Sequence, residues 1–138
     1  MEVTPLTKGG NSMIRKLEHV GVMVKDLDRS IRFYTEIMGM KLVGRERLNE
    51  STELAFLAFP GSEDVLIELV ARDNSLSEGI VNHIAFTVHN IEAEVERLKK
   101  AGVRMLDEKP RTILDGIKIA FFLGPDGEKL ELFEPKAN

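Results

Sequence analysis

The chain has 138 residues, 43% of them hydrophobic and 30% charged, which suits one soluble unit or two small modules sharing a core. A formal net charge of -4, with Lys and Arg scattered along the sequence, argues against nucleic acid or an anionic membrane surface as partner. The absence of cysteine excludes disulfides, thiolate metal sites and a cysteine nucleophile and fits a cytoplasmic location, and no apolar run approaches the ~18 residues a membrane span needs.

The opening stretch MEVTPLTKGGNS has no apolar segment of signal-peptide type, so residues 1–13 are expected to form a disordered leader, with Met13 as a possible second start. A strand-like run then carries His19 third from its beginning, in LEHVGVMV. Asp26 is suited to cap a helix, and Leu27, Ile31, Tyr34 and Met38 recur at helical spacing before Gly39, a C-terminal cap residue. Three strands are predicted next, KLVGRERL (41–48), ELAFLAF (53–59) and DVLIELV (64–70), with PGS turning between the last two. The polar stretch ARDNSLSEG (71–79) reads as a linker.

The same order then returns. VNHIAFTV holds His83 third from its start, Asn90 is the cap, and Ile91, Val95 and Leu98 form the buried stripe before Gly102. Strands are predicted at VRML (103–106), IKIAFFL (117–123) and KLELFE (129–134), with GPDG as the turn. Each half is therefore a strand, a helix and three strands, giving an α+β chain with modules at 14–72 and 80–135. Two copies of so long a unit point to duplication and pairing, not to a solenoid.

The repeat also aligns chemistry. Glu68 follows His19 by 49 residues and Glu131 follows His83 by 48, so each half offers a first-strand histidine and a last-strand glutamate. Taken alone, a strand histidine is usually a hydrogen-bonded structural residue, and a strand glutamate usually faces water. Glu68 resists that reading, because Leu66 and Val70 share its face by strand alternation, as Val81 and Ala85 share that of His83. Two imidazoles and two carboxylates at matched positions suit a divalent transition metal, which would also neutralise an acid set among aliphatic residues. No H-E-x-x-H, P-loop, G-x-G-x-x-G or EF-hand pattern competes, and GPDGE (124–128) is a turn with too few acids for a calcium loop. Ser30, Ser51, Ser62, Ser75 and Ser77 lack an elbow motif, and Met38 and Met40 read as core or pocket wall.

Over residues 14 to 135 the sequence resembles the vicinal oxygen chelate superfamily. HVGVMVKDLDRSIRFYTEIMGMKLV and GPDGEKLELFE are similar to bacterial glyoxalase I, and NHIAFTVHNIEAEVERLKKAGVRMLDEKPR is similar to methylmalonyl-CoA epimerase. The resemblance implies two βαβββ modules pairing into a curled eight-stranded mixed sheet around one divalent metal ion, Ni, Co or Zn, with Mn as a further candidate. It places the ligands on His19, Glu68, His83 and Glu131, with Glu131 as the base and Glu68 opposite it as partner and possible acid. The implied reaction moves a proton through a metal-bound enediolate, turning a 2-oxoaldehyde hemithioacetal into an S-2-hydroxyacyl thiol. The alternatives are epimerisation of an acyl thioester of methylmalonyl-CoA type and non-catalytic small-molecule binding.

Four acceptable ligand types favour the isomerase branch over three-ligand dioxygenases, and glutamate at position 68 leans toward glyoxalase I. Met23 and Arg72 stand where the bacterial enzyme has its glutathione-binding arginine and asparagine, which points away from glutathione, to a different thiol adduct, a CoA thioester or another carbonyl substrate. Ala55 occupies the place of the epimerase's extra acid, with Glu53 two residues before it. Gly21 and Ala85 would leave room for substrate, and Arg45, Arg72, Arg111 and Lys118 are candidates to grip its distal part. A homodimer is expected, with the site inside one chain or across two.

Overall fold

The computed structural model describes residues 17–72, 83–113 and 116–137; the expected leader at 1–13 and the linker beyond Arg72 lie outside these residues. The first module comprises β1 (His19–Val24), α1 (Leu27–Arg32), β2 (Lys41–Asn49), β3 (Thr52–Ala58) and β4 (Leu66–Arg72). The second comprises β5 (Ile84–Thr87), α2 (Ile91–Lys100), β6 (Arg111–Ile113), β7 (Ile117–Leu123) and β8 (Lys129–Glu134).

Local chemistry sets the helix ends. Asp26 accepts a hydrogen bond from the Arg29 amide at 3.1 Å, and Asn90 accepts one from the Ala93 amide at 3.2 Å. Each cap satisfies a donor that a helix N-terminus otherwise leaves orphaned. Gly39 and Gly102 end the helical segments at φ 82° and 84°, a backbone region that side chains with a Cβ avoid. The first helix departs from the expected continuous α-helix: Phe33–Ile37 is a π-helical turn, with the Met38 amide bonded to the Phe33 carbonyl five residues back. The Thr35 hydroxyl donates to the Ile31 carbonyl at 2.7 Å, a local bond that competes with the regular ladder.

The two modules fold alike. Their sheets run β1-β4-β3-β2 and β5-β8-β7-β6, with a parallel pair (β1 with β4, β5 with β8) at one side and antiparallel pairs elsewhere. The α+β class and the paired βαβββ modules are as expected. The eight strands, however, form two four-stranded sheets, with no ladder joining them among the described residues.

A second difference concerns VRML (103–106), predicted as a full strand. Only Met105 bridges, to Phe122, and the edge strand is β6 at Arg111–Ile113. The Asp107 carboxylate accepts the Phe121 amide at 2.8 Å, so a side chain takes a donor that a continuing ladder would need. Pro110 then offers no amide of its own.

Strand alternation gives each sheet a helix-covered face and a second face that carries the candidate site. Val24, Leu57, Leu69 and Tyr34 of the first module join Ile91, Val95, Leu98, Phe122 and Leu130 of the second in one buried apolar cluster. Met40 is buried and Met38 packs against the same cluster, so both serve the core.

Polar contacts fasten the modules where the β7–β8 turn meets α1. Asp126, with a side chain only 3% exposed, accepts from Arg29 Nη2 at 2.6 Å and from the Lys25 amide at 3.1 Å. The Tyr34 hydroxyl donates to Glu128 Oε2 at 2.9 Å, and the Asp126 amide donates to Glu128 Oε1 at 2.8 Å.

Candidate metal centre

Glu68 lies on β4, one of the two central strands of its sheet, between β1 and β3. It pairs with Gly21 on β1 and Phe56 on β3, so these residues share one face. Ile67 and Leu69, its chain neighbours, point the other way into the core, which explains how one acid can sit among aliphatic residues. Glu131 holds the corresponding place on β8, pairing with Ala85 on β5 and Phe121 on β7. Each sheet thus supports its glutamate on a central strand, beside the parallel strand that begins at or just after a histidine.

The outcome is two His–Glu pairs. His19 Nε2 lies 3.8 Å from Glu68 Oε2, and His83 Nε2 lies 2.8 Å from Glu131 Oε1. The glutamates are largely withdrawn from water, with side chains 20% and 8% exposed. The imidazole of His83 also meets the Phe121 ring edge to face at 5.2 Å. Gly21 and Ala85 sit beside the two glutamates in register, and a Cβ added at Gly21 would come 3.8 Å from Glu68 Oε1, an ordinary contact distance.

The four residues do not form one group within a single chain. Among the described residues no cluster of three or more His, Asp or Glu side chains could hold a metal ion. The donors themselves fit a divalent transition metal. Each pair offers one imidazole nitrogen and one carboxylate, and two such pairs would complete a four-ligand set with no sulfur.

Register also sorts the four basic residues proposed to grip the substrate. Arg45 pairs with Ala55 on the helix face and is held by Asp28 at 2.6 Å and Glu53 at 2.8 Å. The hydrogen bond from Arg45 holds the Glu53 carboxyl below its ordinary range. Lys118 likewise lies on the helix face, bound to Glu92 on α2 at 2.8 Å. Arg72 and Arg111 share the faces of Glu68 and Glu131. Arg72 contacts Thr52 Oγ1 at 3.3 Å, and Arg111 is ion-paired with Asp107 at 3.1 Å. Lys129 was not among the four, yet it stands two residues before Glu131 on the same face, with its ammonium 4.4 Å from the centre of the Phe121 ring. Alternation in KLELFE puts Lys129 and Glu131 on one side, but the ring that holds the lysine comes from β7 across a turn.

Comparison with known proteins agrees with this architecture. Residues 16–132 match the family model described as the glyoxalase/bleomycin resistance protein/dioxygenase superfamily. The chain is 38% identical over 125 residues to the uncharacterised protein YwbC of Bacillus subtilis (strain 168), covering 88% of this chain and 99% of that protein. It is 37% identical over 129 residues to the lactoylglutathione lyase of Salmonella typhimurium, covering 88% and 93% respectively. Among solved structures, the trypanothione-dependent glyoxalase I of Leishmania major superposes with a TM-score of 0.72 at 29% identity, over 88% of this chain and 87% of that one. No described helix is long and apolar enough to cross a membrane. With its two βαβββ modules and this match along most of its length, the chain belongs to the glyoxalase/bleomycin resistance protein/dioxygenase superfamily.

Proposed function

We propose that the protein is a metal-dependent isomerase of glyoxalase I type, acting in the cytoplasm on the hemithioacetal of a 2-oxoaldehyde and giving an S-2-hydroxyacyl thiol. The observation that carries this reading is the matched pair of His–Glu contacts, each glutamate set on a central strand with little exposure. His19, Glu68, His83 and Glu131 would hold one divalent ion, Ni, Co, Zn or Mn, which when bound supplies Lewis-acid polarisation of the substrate carbonyl.

Because one chain separates the two pairs, the reading takes the full set from two copies, each giving one pair to each of two sites. Exposed apolar residues on the edge strand β2, Leu42, Val43 and Leu48, offer surface that a second copy could cover.

In this reading Glu131 takes the proton from the hemithioacetal carbon, and Glu68 of the second copy serves as its partner opposite. The proton removed from that carbon is returned to the adjacent carbonyl carbon. The C–H bond breaks at one centre and forms at the other, the hydroxyl proton of the first carbon passes to the former carbonyl oxygen, and the thiol stays attached throughout. No oxidant or co-reactant is consumed. A buried carboxylate suits this step because little water competes for the proton it carries.

The epimerase reading has less support, since Glu53 lies on the helix face, opposite Glu68, and cannot serve as an extra acid in the same site.

The test loads the protein with Ni, Co, Zn or Mn and offers methylglyoxal with glutathione and with other thiols, following thioester absorbance. A parallel arm follows solvent-deuterium exchange into methylmalonyl-CoA. Thioester formation by the wild type is expected, with Glu131→Gln lowering kcat by about a hundredfold or more. Exchange into methylmalonyl-CoA without thioester formation would replace this reading with epimerisation. Neither activity, together with no metal bound, would leave small-molecule binding.

A further inference from the structure

We infer that Lys129, held on the Phe121 ring, receives a carboxylate carried by the thiol portion of the substrate, beside the His83–Glu131 pair. The inference rests on the isomerase reading and names the substrate class for that site.

Three observations converge on it. Lys129 and Glu131 share a face of β8, so their Cα atoms are about 7 Å apart by strand rise. A cation there stands one strand repeat from the carboxylate proposed to move the proton, within reach of a group carried on the thiol. Second, β5 runs parallel to β8 with Ile84 beside Leu130, which brings His83 level with Lys129 on the same side. Third, Lys129 is half-buried and its ammonium lies over the Phe121 ring, at 4.4 Å; no described carboxylate reaches ion-pair distance of it. Of the four basic residues named from the sequence, Arg45 is committed to Asp28 and Glu53, Lys118 to Glu92 and Arg111 to Asp107, while Arg72 lies in the other sheet, on the Glu68 face, with Thr52 Oγ1 as its contact.

The ring does two things at once. Its electron-rich face attracts the ammonium, while its edge-to-face contact with His83 holds the imidazole. Lys129 is therefore ordered before substrate arrives and spends less freedom on binding. A π face accepts no full hydrogen bond, so the ammonium keeps donors for an oxygen anion. A single ammonium matches a carboxylate, whereas a dianionic phosphate would call for further cations, and the neighbouring Arg111 is occupied by Asp107.

The experiment compares methylglyoxal hemithioacetals of three short thiols, mercaptopropionate (anionic), β-mercaptoethanol (neutral) and thiocholine (cationic), with the metal-loaded wild type, Lys129→Met, Lys129→Arg and Lys129→Glu. The wild type is expected to favour the mercaptopropionate adduct. Lys129→Met should lower its kcat/KM relative to the neutral adduct by about tenfold, mainly through KM, the scale of one lost charge-assisted hydrogen bond. Lys129→Arg should keep the preference, and Lys129→Glu should turn it toward the thiocholine adduct. An equal ratio of the adducts across all four proteins would overturn the inference.

A second measurement is independent of turnover. NMR titration with S-lactoyl-mercaptopropionate should move the Phe121 and Lys129 signals in the wild type but leave the Phe121 signals unmoved in Lys129→Met, and S-lactoyl-mercaptoethanol should move the Phe121 signals in neither. Turnover without carboxylate preference in either assay sinks this inference and leaves the isomerase. Carboxylate-selective shifts without turnover of any adduct sink the isomerase and leave the anion site.

Discussion

Tyr34 is the only tyrosine in a chain without tryptophan, and it is fully buried with its hydroxyl on Glu128. Burial, followed by the Glu128 charge, pushes its phenol far above the ordinary range for tyrosine. A folded value above the unfolded one means stability that is complete below pH ~10 and is lost as pH rises beyond it. Phenolate absorbance should therefore be missing from the native protein as pH passes 10 and should appear only together with loss of helical circular dichroism. An early, reversible phenolate signal from folded protein would show that the ring is accessible. Tyr34→Phe should cost about 1–2 kcal/mol in urea denaturation, because Glu128 loses a donor at a partly buried site. At this scale the sequence was legible where a residue's role follows from its own strand: the His19–Glu68 and His83–Glu131 pairings were written in the two near-equal spacings. Lys129 was not, since its meaning depends on a ring from another strand.

Among the elements, capped helices were readable from local chemistry alone. Asp26 and Asn90 stand where sequence placed them, and their side chains hold the expected amides. Asn90→Ala should lower stability by about 1 kcal/mol, read from the urea midpoint at unchanged slope. The strand predicted at VRML failed for a reason outside its own composition: Asp107 captures the Phe121 amide and Pro110 cannot donate, so pairing resumes only at Arg111. The π-helical turn was equally hidden, because the apolar spacing of its helix looks regular and the Thr35 hydroxyl bond to the Ile31 carbonyl that accompanies it leaves no trace in that spacing. The β7–β8 turn carries a larger burden than a turn motif suggests. Asp126→Ala removes the acceptor for both Arg29 and the Lys25 amide and should cost about 2–3 kcal/mol, measured by urea titration. An equal loss from Arg29→Ala with no coupling in the double mutant would show that the pair acts only through packing.

For the molecule as a whole, duplication was visible in the sequence, but the arrangement of the copies was not. Hydrophobic alternation specifies which face of each sheet is buried; it does not specify whether two sheets join edge to edge. The separation of the two His–Glu pairs within one chain makes a complementation experiment decisive for a site shared between copies. Refolding Glu68→Gln together with Glu131→Gln should restore about a quarter of wild-type activity, since half the dimers are mixed and one of their two sites is intact. Each variant alone should stay inactive. No recovery on mixing, from dimers shown to exchange by mass spectrometry, would place the working site inside a single chain. The fastening between modules has its own vulnerable spot. A methyl group at Gly124 would lie 2.6 Å from both carboxylate oxygens of Glu128, which cannot swing aside without abandoning Tyr34 and the Asp126 amide. Gly124→Ala should thus behave as a heat-sensitive allele, and a genetic screen for revertants should return changes at position 128, where a shorter side chain makes space.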